Sequence, residues 1–476
     1  MSSWDFLVMA AYFAAVIAIG VHFTRRQRDA SDYFLGRHTL PWWAVMFSIV
    51  ATETSALTVI SVPGIAARGN LTFLQLPLGY LVGRVAVALW LLPGYFRGEQ
   101  ETAYARLETR FGPGARKIAS AIFMSIRALG DSVRVFATAI PLAIVTGWSI
   151  PVSVVVVALV TLMYTWAGGI KAVVWVDVVQ LGIYVLGGIA TIVAAISLAG
   201  GLGTALSSAA DLGKLRVINW TASLSTTYTF ASGVVGGALL SAASHGTDHL
   251  IVQRLLATRD LPNARRALVG SGVLVIVQFA IFLLVGTMLW AAGADDPALS
   301  GDQLYPTFVV RQLPAGLAGL VVAGLLAAAM STVSSSLNSL ASAATHDFYA
   351  PLTGRRDPRH LLTVGRWATI GWAAVLIGGA LSFRSTDQPV VELALSIASV
   401  TYGALLGTYI LAGTSRLARQ WDAVLAITVA TVSMLVIVLA KPGSFADLAW
   451  PWYVPLGTLI TVTAGWLSSL VRKALA

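Results

Sequence analysis

The sequence contains no cysteine, which removes disulfide frameworks, thiolate metal sites and cysteine nucleophiles at once. Charge is scarce: Asp, Glu, Lys and Arg make up 11% of the 476 residues, against 57% hydrophobic ones, too few to cover the surface of a water-soluble chain of this length. There is no Ser-His-Asp order, no glycine-rich phosphate loop and no Walker sequence, so neither a hydrolase nor an ATP-driven pump is supported, and the chain is not read as an enzyme. What it has instead is apolar runs of about twenty residues or more, recurring along nearly its whole length. These imply an all-α polytopic membrane protein forming a single transmembrane domain over 1–476, with loops too short to fold separately.

Thirteen spans are expected, at 4–23, 41–66, 72–96, 118–147, 150–167, 175–199, 228–252, 267–293, 314–344, 366–383, 390–413, 421–440 and 450–470. An odd number puts the termini on opposite sides. With the N-terminus outside, 22 Lys and Arg fall in cytoplasmic loops, including Arg25, Arg26, Arg28, Arg254, Arg416, Arg419, Arg472 and Lys473. Only six fall outside: Arg68, Lys214, Arg216, Arg311, Arg384 and Lys441. That asymmetry sets the C-terminus inside and accounts for the net charge of +10 without invoking nucleic acid. The first apolar run lacks a preceding positive charge and is followed by TRRQR, so it reads as a first helix rather than a cleaved signal. Segments 201–227 and 295–312 read as external loops, the second with a short helix or two. Trp42, Trp43, Trp450 and Trp452 lie at span ends and read as interfacial anchors.

The stretch 47–64, FSIVATETSALTVISVPG, is long enough to sit in a membrane but carries Thr52, Glu53, Thr54, Ser55 and Thr58 in two turns, where hydroxyls compete with the helical ladder. An acid at mid-depth costs about 3 kcal/mol on insertion scales, so Glu53 must face a cavity, an ion or a partner. Residues 52–55 are a candidate helix interruption. Three further constellations lie at membrane depth. Ser331, Ser334, Ser335 and Asn338 share one helical face with Thr332 beside them, a surface suited either to close helix packing or to a hard cation. Asp177 lies at the start of a span and either pairs with a loop arginine or ligates a cation. Arg127, Asp131 and Arg134 stack at i, i+4 and i+7, either as a closed triad or with one arginine left to capture a carboxylate. His245 and His249 in SHGTDH have a zinc-compatible spacing, but no acid-rich helix or HExxH pattern accompanies them, so no transition-metal site is expected.

Taken in order, SDYFLGR at 31–37, LPWW at 40–43, SIVATETSA, GGIKAVVWVDVVQ, GTDHLIVQR, MSTVSSSLNSLASAATHDFY and YGALLG at 402–407 resemble the sodium:solute symporter family. That family includes bacterial galactose, proline and sialic acid symporters and animal glucose and iodide symporters. The resemblance implies the leucine-transporter-type fold: two inverted five-helix repeats, over 41–199 and 228–413, preceded by the helix at 4–23 and followed by two helices over 421–470. The first helix of each repeat would be broken at the midplane. Carried over by position, the principal sodium site falls on the carbonyls of Ala51, Thr54 and Ala328 and the hydroxyls of Ser331 and Thr332. A second sodium site resembles Asp177 with Ser331, Ser334 and Ser335, so two sodium ions per cycle are expected. The solute pocket would draw on Glu53, Ser55, Thr58, Gln75, Arg127, Arg134, Ser241 and His245.

The pattern departs from the sugar-binding members, which have neutral amides near positions 53–58. The proline symporter carries an acid at the position of Glu53, and the sialic acid members an arginine in the span of Arg127. The expected activity is sodium-coupled import of a small polar, carboxylate-bearing solute across the cytoplasmic membrane by alternating access. It needs the lipid bilayer but no nucleic acid and no obligate protein partner. The competing readings are a proton-coupled symporter with Glu53 or Asp177 as the titrating acid, sodium/sugar symport, or a receptor or leak channel; no signalling domain is expected after the last span.

Overall fold

The computed structural model describes residues 2–24, 29–97, 100–383 and 390–475 and, among them, is built of helices with no β-strand. Arg25, Arg26, Arg28 and Arg384 lie outside the described residues. The principal helices are α1 (Ser3–Thr24), α2 (Trp42–Glu53), α3 (Ala56–Arg68), α4 (Gln75–Ala86), α5 (Pro113–Thr146), α6 (Ile150–Leu198), α7 (Gly237–Gly246) and α8 (His249–Leu256). They continue with α9 (Leu261–Ala291), α10 (Leu317–Ala343), α11 (Pro358–Ser382), α12 (Val390–Thr414), α13 (Gln420–Ala440) and α14 (Tyr453–Leu475). Two run on through wide π turns, α4 through Val87–Leu91 to Tyr95 and α10 through Ala344–Tyr349 to Thr353.

Nine helices among the described residues are long and apolar enough to cross a membrane, or ten if α2 and α3 are one bent span. Four of the expected spans take another shape, for identifiable reasons. Segment 41–66 is split into α2 and α3, bent by 61° where the ladder fails at Thr54 and Ser55. Segments 150–167 and 175–199 form the single 49-residue α6, kinked where Gly169 turns left-handed (φ 56°) against the Tyr33 carbonyl, a conformation and an approach that exclude a β-carbon. Segment 228–252 is broken at Thr247 and Asp248 between α7 and α8. Arg254, expected in a loop, is carried into the protein by α8 and is fully buried.

Helices in lipid gain little from burying apolar surface against one another, so close packing of small residues sets the contacts. Between α4 and α7 the approach is backbone to backbone: a β-carbon at Gly79 would meet the Gly233 carbonyl, one at Gly83 the Ala238 carbonyl, and one at Gly237 the Leu76 carbonyl. Among the candidate spans of the described residues the most enclosed is α10, 89% buried over its most apolar window, against 22–33% for α1, α6, α11, α13 and α14. Its hydroxyls therefore have to find partners inside the protein rather than face lipid. Its first turn is tied to α1 by Asp5, whose Oδ1 accepts from the Gly316 and Gly319 N–H groups at 2.7 and 2.8 Å. The loop 201–227 holds a helix, Leu202–Asp211, and 295–312 holds Gly301–Gln312, started by a Ser300/Gln303 capping box. Trp43 is exposed as an anchor requires, but Trp450 is buried in the 3-10 turn that packs on Ser232–Gly236.

Candidate functional site

At the break between α2 and α3 the sequence reading and the structure meet. Thr54 leaves helical geometry (φ −82°, ψ 82°), and the Ser55 N–H, which would close a turn onto the Ala51 carbonyl, donates instead to the Glu53 carbonyl at 3.0 Å. Backbone oxygens are thereby turned out of the ladder at a point packed against α10. The Thr332 hydroxyl lies 3.2 Å from the Thr52 carbonyl and 3.5 Å from that of Ala328, so α10 meets the break through an oxygen-rich contact. The Thr54 hydroxyl accepts from Gln278 of α9.

Ser331 is directed elsewhere: its hydroxyl donates to Asp177 Oδ1 at 2.6 Å. Asp177 Oδ2 accepts from Ser48 at 2.5 Å, from Thr52 at 3.4 Å and from Arg254 Nη2 at 3.3 Å. Ser334 and Ser335 both turn back on the Ser331 carbonyl, at 3.0 and 2.6 Å, and Ser335 also meets Thr52 and Arg254. The four residues Asp177, Ser331, Ser334 and Ser335 are thus gathered and wholly buried, with the guanidinium of Arg254 among them.

Beside the break lies a cavity of about 90 Å³. Thr52, Glu53 and Thr58 form one wall, His245, Ser244 and Asp248 another, with Arg127, Arg134 and Tyr402 between them and Phe73, Tyr80 and Phe279 as apolar lining. The charges in its walls are paired. Glu53 is held by Arg84 of α4, a fully buried guanidinium that also donates to Ser271 at 2.6 Å, and His245 Nε2 stands 3.7 Å from the same carboxylate. Arg127 is held by Asp248, by Asp131 at 3.5 Å and by the Tyr402 hydroxyl at 3.0 Å. Asp131 also binds Arg134 and accepts from Ser336.

Ser55, Gln75 and Ser241 are not among the residues lining this cavity. The Gln75 amide is used instead to hold the loop, donating to the Tyr228 carbonyl at 3.3 Å and accepting the Asn219 N–H at 3.0 Å. His245 and His249 end up on different helices, across the break between α7 and α8, so their i, i+4 relation is lost. His249 instead receives the Ala103 N–H at 3.3 Å and lies 3.1 Å from the Ser342 hydroxyl. Among the described residues no group of three or more His, Cys, Asp or Glu side chains is placed to hold a metal ion.

Three side chains that hold this site together escape a reading of the sequence alone. Arg84 appears there as an arginine within a span, Asp248 as part of a histidine motif and Arg254 as a loop charge. Their partners lie 31, 121 and 77 positions away. The signal available was that an acid at membrane depth requires a counter-charge, which says that a partner exists without saying which. At the arginine-rich end, Asp347 gathers Thr102, Ser120 and Arg116 at 2.6, 2.7 and 2.8 Å, tying α10 to α5 and to the segment before it.

Comparison with known proteins places this geometry. The chain is 28% identical over 481 residues to the sodium/sialic acid symporter NanT of Aliivibrio fischeri, covering 98% of this chain and 93% of that one. It is 29% identical over 421 residues to the human sodium-coupled monocarboxylate transporter 1, covering 86% of this chain and 68% of that one. A solved structure of a Na+-coupled sialic acid symporter in a substrate-bound, outward-open state superposes with a TM-score of 0.90 at 26% identity, covering 99% of this chain and 98% of that one. The closed structure of the nucleobase-cation symporter Mhp1, at 15% identity and a TM-score of 0.57, shares the fold. These neighbours are transporters of the leucine-transporter fold. With the family model matching residues 33–417, the chain belongs to the sodium:solute symporter family.

Proposed function

We propose that this protein is a sodium-coupled symporter that imports a small polar solute bearing a carboxylate, by alternating access between two inverted repeats at 41–199 and 228–413. The observation that carries the reading is the unwound Thr54–Ser55 step, which presents backbone oxygens to the hydroxyl face of α10 beside a cavity containing arginine. The donor set suits a small hard cation, for which carbonyl and hydroxyl oxygens suffice. Ala51, Thr54, Ala328, Ser331 and Thr332 would take the principal sodium ion. Asp177, Ser331, Ser334 and Ser335 would take a second. Thirteen spans, the N-terminus outside and the C-terminus inside the cytoplasmic membrane, complete the topology.

The solute class follows from the arginines. A guanidinium is built to take a carboxylate in bidentate fashion, and Arg127 and Arg134 share Asp131. A solute carboxylate entering the cavity would take over one of these arginine contacts without leaving a buried charge alone. Relatives named for sialic acid and for monocarboxylates support this class. In the cycle, sodium at the α2–α10 contact joins the two repeats and favours the form that receives solute, and separation of the repeats on the inner side releases both. Coupling is reciprocal: the factor by which sodium tightens solute binding is the factor by which solute tightens sodium binding. Each unit charge moved inward through 100 mV supplies about 2.3 kcal/mol before any concentration gradient.

The test is thermal unfolding of the purified protein with sialic acids, monocarboxylates, amino acids and sugars, in sodium and then in potassium at equal ionic strength. A ligand that binds the folded state raises its stability. One carboxylate class raising the midpoint in sodium and not in potassium is the expected result. A shift from sugars alone, or uptake that ignores sodium and stops when the pH gradient is collapsed, would overturn it.

A further inference from the structure

The carboxylate of Asp177 is already served by a cation that the chain itself provides. Arg254 Nη2 lies 3.3 Å from Asp177 Oδ2 and bonds to Ser335, its Nε donates to Ser48 at 2.9 Å, and its Nη1 donates to the Leu250 carbonyl at 2.9 Å. Asp177, Arg254, Ser48, Ser331 and Ser335 are all fully buried. One negative and one positive group balance there, out of reach of solvent. A sodium ion brought to Asp177 and Ser335 beside the guanidinium would place two positive charges on one carboxylate in a site with little dielectric screening. The ion and the guanidinium therefore compete for the same oxygens, each weakening the hold of the other.

We propose that Arg254 is a tethered competitor of the second sodium ion: the guanidinium holds Asp177 and Ser335 until sodium takes its place, and the side chain withdraws when the ion binds. The inference rests on the sodium-symport reading and assigns to a residue of α8 the control of that ion's affinity. Asp248, which holds Arg127 at the cavity, accepts the Leu250 N–H at 2.9 Å as the N-cap of the same helix. Displacement of Arg254 by sodium thus acts on the element whose other end fixes an arginine of the solute cavity. This gives a physical route from the ion to the solute, along one helix from Arg254 to its N-cap Asp248.

The experiment compares wild type with Arg254→Gln, using thermal unfolding of the full-length protein as sodium replaces potassium at constant ionic strength. Arg254→Gln leaves Asp177 without a counter-charge, so its midpoint in potassium should fall. Sodium should restore it, with a half-effect concentration at least tenfold below that of wild type. In an Asp177→Asn background the same substitution should leave the sodium response unchanged, since nothing remains to compete for. An equal loss of midpoint in both salts, with wild-type sodium affinity, would make the pair purely structural and overturn the proposal. Should Arg254→Gln not fold in either salt, Arg254→Lys provides the measurement. It keeps the charge but not the fork that reaches Ser48 and Ser335, and sodium should bind it several-fold tighter; unchanged affinity overturns the proposal. A wild type indifferent to sodium removes the symport reading itself, a result distinct from a normal wild-type response that Arg254 fails to alter.

Discussion

The two broken helices solve the same problem in opposite ways. Between α2 and α3 the residue at the start of the second half, Ser55, makes no side-chain cap bond, and Thr54 departs from helical angles without a charged partner, so backbone groups stay available. Between α7 and α8 the corresponding residue is Asp248, which caps α8 through the Leu250 N–H and binds Arg127 and Tyr402 with its other oxygen. One break is met only by a neutral hydroxyl, that of Thr332 on the Thr52 carbonyl, and the other is plugged by a carboxylate. The difference teaches that an interrupted helix is not by itself an ion site: what matters is whether side chains have claimed the liberated groups.

The comparison breaks most visibly at Asp248. Asp248→Ala strips Arg127 of one of its two carboxylates, leaving it to share Asp131 with Arg134, and takes an acceptor from Tyr402 and the cap from α8; breaking a buried pair costs about 3–5 kcal/mol. A large fall in the unfolding midpoint is expected, and a fall no bigger than that of a cap substitution would show that Asp248 plugs nothing. Glu53→Gln comes next, because it orphans the buried Arg84 but leaves that arginine its bond to Ser271. Here about 3 kcal/mol is expected, with solute binding weakened in the same preparation. Thr332→Ala should spare the fold, keeping its midpoint in potassium, while raising the half-effective sodium concentration roughly tenfold, or about 1.4 kcal/mol. An unaltered sodium response would remove Thr332 from the proposed ion site. The smallest effect belongs to Ser55→Ala. With no cap bond to lose, it should cost less than about 0.5 kcal/mol, below the usual loss of about 1 kcal/mol for an N-cap serine.

Much of this was legible before any coordinates. The cluster of hydroxyls around Glu53 marks the α2–α3 break because β-branched and hydroxyl side chains oppose the helix locally, and local conflicts can be read locally. The face Ser331, Ser334, Ser335 and the acid Asp177 were legible for the same reason. The α7–α8 break was not read from its own residues, since Thr247 and Asp248 look like part of a histidine motif; only the family resemblance placed a break in that helix. Which charge meets which was also beyond the sequence. The sequence requires a partner for Glu53 without naming it, whereas the structure gives Glu53 to Arg84 and Arg127 to Asp248. Arg254 was counted as a loop residue because the apolar run ends near position 252, while α8 carries the chain inward beyond it.

The glycine seam between α4 and α7 has a consequence for how the protein tolerates change. Two surfaces that meet through main-chain atoms have no rotamers to exchange and no methylene to trim, so the seam offers no gradual series of weaker versions. Where a leucine core degrades by steps, this contact either registers or fails. It sets the helix that supplies Tyr80 directly against the helix that supplies His245, so those two parts of the cavity lining are held in register. Drift in the sequence can retune the apolar lining of the chamber by steps, but at Gly79, Gly83 and Gly237 it meets a position where a β-carbon has no room.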